Sequence, residues 1–274
     1  MALQYKLFIS DFDDTLLRSD NTVSERTKTA IKAYTDAGGL FTLSTGRMCK
    51  SIMMRLKELG LDKTGFPLIG YQGARIIDSL TGQSLHEANL ANKDAIELVK
   101  ECYRRQLYVQ IYVKPERLIV DKHTYMSNSY CQATGVSAEE AGDLVRFLEM
   151  TGYDCHKALI IADKSKTLEI MKSLGAVYDN ILFNISHPSF VEAVDCKSGK
   201  GNAARWLADK MGIGMDRVAG IGDSLNDLPL LKAVGLGIAV ANARADLKIH
   251  AHRVSRYSND EDAVARELEQ ILTG

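Results

Sequence analysis

The run Asp11-Phe12-Asp13-Asp14-Thr15-Leu16-Leu17 places three carboxylates and a hydroxyl directly after a short apolar segment. A second acidic run, Gly220-Ile221-Gly222-Asp223-Ser224-Leu225-Asn226-Asp227, follows another such segment far downstream. Ser44-Thr45-Gly46-Arg47 joins hydroxyls, a permissive glycine and the start of a helix, which together make an anion-binding corner. Gly199-Lys200-Gly201 opens a further helix with one ammonium. Each segment alone has an ordinary explanation: an Asp turn, a helix cap or a solvated lysine. The GxGxxG spacing of a dinucleotide loop is absent, and a carboxylate at Asp223 would repel a bare pyrophosphate.

Convergence changes the reading. If Asp11, Asp13, Asp223 and Asp227 meet, each close pair costs several kcal/mol at an effective dielectric of about 20. Such a cluster takes up protons or recruits positive charge. Oxygen donors without Cys or His point to Mg²⁺, with Lys200 as further compensation. Carboxylates, one hard cation, an ammonium and a hydroxyl-bearing helix start are the parts of a phosphoryl-transfer site.

The elements needed to bring these segments together are legible. Lys6–Ser10 reads as a buried strand ahead of the first acids, and Leu40–Thr45 as the next. Between them a helix runs from the Ser24 cap to Ala37, stopped by Gly38-Gly39, and a second carries Ile52, Met53, Leu56 and Leu59 before Gly60. The last third repeats this grammar. A helix at Lys200–Met211 precedes a strand at Arg217–Ile221. Then come a helix at Leu225–Ala233, a strand at Leu236–Val240 and a terminal helix at Asp260–Leu272. Strands alternating with helices through short joints predict an α/β fold: a Rossmann-like parallel sheet core with helices on both faces. Ligands of such sheets bind outside the carboxyl ends of the strands, where all four segments fall.

The middle differs. Gln106–Val113 and Arg117–Val120 flank Lys-Pro-Glu as an antiparallel hairpin. Lys157–Ala162, a helix near Ser165–Leu174, Ile181–Ile185 and Phe190–Ala193 continue a mixed pattern. The expected organisation is a discontinuous core at 1–81 and 189–274 with an inserted α/β domain at 82–188, bordered by Gly82 and His187-Pro188.

Composition narrows the partners. Lys+Arg 34 against Asp+Glu 35 gives a formal charge of −1, which lacks the basic field that nucleic-acid binding needs. No apolar run is long enough to span a membrane, and Met-Ala-Leu-Gln-Tyr-Lys is not a signal peptide. Five scattered cysteines without a CxxC pair argue against a zinc ribbon or a disulfide framework. A reduced, cytoplasmic protein is expected, as monomer or homodimer.

At these four segments the sequence resembles the haloacid dehalogenase-like hydrolases, and among them the Cof-like phosphatases. DFDDTL, LSTGR, the GKG lysine and GDSLND occur in the family's order, with the insert between the second and third. The resemblance implies that Asp11 is the nucleophile and forms an aspartyl-phosphate. Asp13 becomes the general acid and then the base. Thr45, Gly46 and Lys200 hold the transferring phosphoryl group, with Asn226 turned toward it. Mg²⁺ is bound by Asp11, the backbone carbonyl of Asp13 and Asp223, while Asp227 faces Lys200 or a metal-bound water. Arg47 is either a substrate contact or an anchor of its helix. The insert becomes a cap that closes the site and selects the substrate. One departure is Gln72 in Tyr71-Gln72-Gly73-Ala74, where Cof-like proteins carry Asn.

The implied function is Mg²⁺-dependent hydrolysis of a small phosphorylated metabolite, a sugar phosphate or a phosphorylated cofactor. A phosphomutase or phosphotransferase on the same fold differs only in what attacks the intermediate. A receiver-like phosphate-binding protein without turnover is the other alternative, although receivers need no insert. His250 and His252 lack further metal ligands and read as surface or capping groups. The insert tyrosines Tyr103, Tyr108, Tyr112, Tyr125 and Tyr130 either line a cleft or pack on their sheet.

Overall fold

The structure is a computed structural model that describes residues 3–61 and 65–274. The first segment forms β1 (Leu7–Asp11), α1 (Glu25–Asp36), β2 (Leu40–Ser44), α2 (Cys49–Glu58), β3 (Pro67–Gly70), β4 (Arg75–Asp78) and β5 (Ser84–Glu87). The middle forms α3 (Asn92–Arg104), β6 (Tyr108–Val113), β7 (Arg117–Val120), α4 (Tyr125–Thr134), β8 (Ala138–Glu140), α5 (Leu144–Thr151), β9 (Cys155–Ile161), α6 (Thr167–Gly175), β10 (Ile181–His187) and β11 (Phe190–Asp195). The last part forms α7 (Lys200–Lys210), β12 (Val218–Gly222), α8 (Leu228–Ala233), β13 (Leu236–Ala239), α9 (Ala245–Lys248), β14 (Arg253–Val254) and α10 (Ala263–Thr273).

Two sheets result. The first has the order β14-β13-β12-β1-β2-β3-β4-β5, parallel from β14 to β3 and antiparallel across β4 and β5. Every residue of β1, β12 and β13 is buried, which requires cover on both faces of the sheet. The predicted Ser24 cap is present: its hydroxyl accepts from Thr27 N at 3.1 Å.

The second sheet has the order β10-β11-β9-β6-β7-β8 and is antiparallel except for β7–β8. Its alternating side chains have separate tasks. Val109, Ile111, Ile119, Ala158, Ile160 and Val191 form a core with α3, α5 and α6. Tyr112, Leu118, Leu159 and Ile161 point the other way and join the core of the first sheet.

Neither residue 82 nor residue 188 falls where the chain passes from one sheet to the other. β5 pairs with β4 in the first sheet, and β10 and β11 form one hairpin across residue 188. Pro188-Ser189 is therefore the turn of that hairpin, with a residue lacking an N–H directly after the strand's last residue His187, and the second sheet continues to Asp195.

Candidate active site

β1, β2 and β12 lie side by side in parallel, so their carboxyl ends open onto one edge of the sheet. Asp11 is the last residue of β1, Thr45 follows β2, and Asp223 follows β12. Carboxylate oxygens of Asp11, Asp223 and Asp227 all lie within 4.8 Å of one another. Lys200, at the N-terminus of α7, is fully enclosed and donates to Asp11 Oδ1 and Asp227 Oδ1. Three carboxylates face one ammonium.

The third acid of this group is already satisfied. Asp227 Oδ1 accepts from Lys200, and Oδ2 accepts the backbone N–H of Asp223 and of Ser224 at 3.0 and 3.1 Å. It fixes the loop and the lysine. Asp223 Oδ1 accepts from Thr15 Oγ1 at 3.1 Å. Among the described residues the second oxygen of Asp11 and of Asp223 receives no hydrogen bond. Burial, with the Asp227 carboxylate next, pushes Asp223 up to about 7. Burial likewise holds Asp11 well above the usual carboxylate range, although Lys200 opposes it. Burial opposes the charge on Lys200, but Asp11 and Asp227 outweigh it and raise its pKa.

The donor set fits a hard divalent cation: two carboxylates with a free oxygen each, no sulfur or imidazole, and excess negative charge that burial penalises. In the same loop Asn226 Oδ1 is buried without a donor, an acceptor that a cation's water shell would satisfy.

Asp13 stands apart from this cluster. Its side chain is bound by Arg47, with Nε to Oδ2 at 2.9 Å and a terminal nitrogen to Oδ1 at 2.5 Å. The guanidinium also lies over Phe12, 5.7 Å from the ring centre. Arg47 thus holds the Asp13 carboxylate, and the same side chain borders the cleft beside α2. Thr45 is buried, and its Oγ1 accepts from Arg47 N at 3.1 Å, which leaves its own hydrogen to donate.

The amide of Gln72 bridges two loops. Its Nε2 donates to Glu192, and its Oε1 accepts from Asn226 Nδ2 at 3.3 Å. The methylene that distinguishes Gln from Asn supplies this reach. Asn226 is therefore tied to Gln72. Lys157 and Glu192, which the sequence reading passed over, approach from the second sheet. Their signal was a lysine opening the apolar run KALIIA and an acid inside FVEAV.

A profile of the haloacid dehalogenase-like hydrolases matches residues 8–268. The chain belongs to that family. This hydrolase is 29% identical over 276 residues to a putative phosphatase of Haemophilus influenzae, covering 98% of each chain. It is 27% identical to a 5-amino-6-(5-phospho-D-ribitylamino)uracil phosphatase of Bacillus subtilis, covering 98% of this chain and 99% of the other. A crystal structure of a haloacid dehalogenase-like hydrolase from Bacteroides thetaiotaomicron superimposes with a TM-score of 0.81 at 26% identity, covering 97% and 99% of the two chains. A relative from B. subtilis shares the fold with a TM-score of 0.87 at 24% identity, covering 96% and 99%. The hydrolase is an enzyme of the phosphatase class.

The remaining expectations sort by contact. Tyr112 and Tyr130 pack toward the first sheet, Tyr103 donates to Asp121, and Tyr125 is exposed. His252 Nδ1 accepts from Gly237 N at 2.8 Å, a local structural bond. All five cysteines are free thiols. No helix among the described residues is long and apolar enough to cross a membrane.

Proposed function

We propose that this hydrolase removes phosphate from a small phosphorylated metabolite, a sugar phosphate or phosphorylated cofactor, with Mg²⁺ held by Asp11, Asp223 and the Asp13 carbonyl. The observation that carries the proposal is Lys200 enclosed between Asp11 and Asp227, with Asp223 in the same cluster. Bound magnesium would neutralise the charge that otherwise keeps a carboxylate away from a phosphate dianion.

The chain's own groups then divide the work. Asp11 attacks phosphorus in line with the leaving oxygen, forming an aspartyl-phosphate as the P–O bond to the alcohol breaks. Asp13 gives its proton to the departing alkoxide and then takes one from the water that hydrolyses the acyl phosphate. Thr45, Gly46, Lys200 and Asn226 hold the equatorial oxygens, and Lys200 offsets one charge throughout.

A cleft of about 710 Å³ between α2 and the insert, lined by Arg47, Ser51, Arg55, Glu116, Arg117 and Thr134, meets the proposed site at Arg47, whose partner is Asp13. The segment between Ala88 and Ser198 is the proposed cap. Free thiols support a reducing, cytoplasmic setting. Phosphate release from a panel of phosphorylated metabolites, with and without Mg²⁺, tests the reading. Binding without turnover would reassign the protein as a phosphate sensor, and transfer to a second sugar as a mutase.

A further inference from the structure

Lys157 on β9 and Glu192 on β11 occupy the face of the second sheet turned toward the first, flanking Leu159 of that face. They are 1% and 3% exposed. Lys157 Nζ donates to Glu192 Oε1 at 2.6 Å and to the carbonyl of Gly46 at 2.8 Å. Glu192 Oε2 accepts from Gln72, which in turn holds Asn226. One ion pair of the insert thereby reaches the loops after β2, β3 and β12.

A buried ion pair is a poor way to hold two sheets together, since desolvation offsets most of its attraction. What it supplies is direction. The Gly46 carbonyl and the Arg47 N–H share one planar peptide unit, and that N–H donates to Thr45 Oγ1 at 3.1 Å. Fixing the carbonyl end with Lys157 fixes the end that orients the Thr45 hydroxyl. Gly46 supplies an independent observation. A Cβ there would lie 2.5 Å from Gln72 Nε2 and 3.1 Å from Glu192 Oε2, so the loop is bare where the insert's network presses on it.

We infer that Lys157 and Glu192 are positioning residues: a latch through which the docked insert sets the Gly46–Arg47 peptide and completes the phosphate-binding loop. The functional half of this inference rests on the phosphatase reading of that loop; the structural half does not.

The test compares the wild type with Lys157→Met and with the double variant Lys157→Met, Glu192→Met, using 4-nitrophenyl phosphate and inorganic phosphate as probes. The single variant strands a buried carboxylate and loses stability. The double variant removes both charges and recovers it, yet kcat is expected to stay about tenfold to a hundredfold low with KM changed less than about threefold. Hydrogen exchange at the Gly46 and Arg47 amides should accelerate at least about tenfold in the double variant, while β1 is unchanged. Recovery of kcat together with stability, or unaltered exchange at those amides, overturns the latch. A wild type that neither binds inorganic phosphate nor releases it overturns the phosphatase reading instead, and the exchange measurement still decides the latch.

Discussion

Arg47 grips the Asp13 carboxylate by both oxygens, at 2.5 and 2.9 Å. A fork on a carboxylate fixes its plane as well as its position, which a lysine cannot do. Asp13 must carry its proton on the oxygen that faces the leaving group, so the fork has to release that oxygen while the other stays held. The plane kept by the remaining bond sets the quality of the transfer. Arg47→Lys should lower kcat about tenfold or more, with the greater loss on alkyl phosphates, whose leaving groups need protonation. Equal loss on alkyl and aryl phosphates would show that Arg47 acts elsewhere.

Asp11→Asn should cost at least about three orders of magnitude in kcat, because Asp11 is the carboxylate that ends β1 beside Lys200 and the proposed nucleophile. Circular dichroism of the variant should match the wild type. A mild loss would move the nucleophile to another residue.

The acidic cluster predicts linked behaviour toward protons and metal. Burial and Asp227 hold Asp223 at about 7 in the metal-free fold, whereas an unfolded aspartate titrates near about 3.9. Between those values the folded chain binds the extra proton, so this group's contribution to stability falls as pH rises through the window. In chelator, Asp223 should therefore favour the fold more at about pH 6 than at about pH 8. Added Mg²⁺, which competes with that proton, should raise the melting midpoint more at the higher pH. Equal shifts at both would argue against Asp223 as a ligand. Chelation should also abolish turnover, and Mg²⁺ should restore it.

Gly73 controls where Lys200 sits. Its φ of +92° suits glycine, and a Cβ there would fall 2.5 Å from the carbonyl oxygen of Gly199. Gly199 N donates to Gln72 O at 2.9 Å, which seats the start of α7. Gly73→Ala should cost about 1–3 kcal/mol of stability by denaturant titration, and reduce kcat as α7 shifts. An unchanged midpoint would mean that the turn relaxes without consequence.

Much of the core was legible because its signals are local. An apolar run cut off by acids marks both β1 and β12, and a Ser cap with a Gly-Gly stop marks α1. The gathering of Asp11 and Asp223 bears on one neighbour relation, that of β1 and β12, and the rest of the strand order was not read from the motifs. The β4–β5 antiparallel edge was not anticipated, as four-residue strands leave little periodicity. The grip of Arg47 on Asp13 and the reach of Lys157 were illegible for another reason. Both depend on how two distant surfaces meet, and a lysine buried by a second sheet reads in sequence like a strand-edge charge.

The chain leaves the second sheet at Asp195 and begins α7 with Lys200, and the Ser198 hydroxyl donates to the Ala88 carbonyl at 2.6 Å on the outgoing crossing. Both connectors are thus stapled at one pivot. So short a tether leaves little slack between the second sheet and the helix that carries the ammonium. Any displacement of the second sheet relative to the first would therefore reach Lys200 through only the four residues between Asp195 and that lysine.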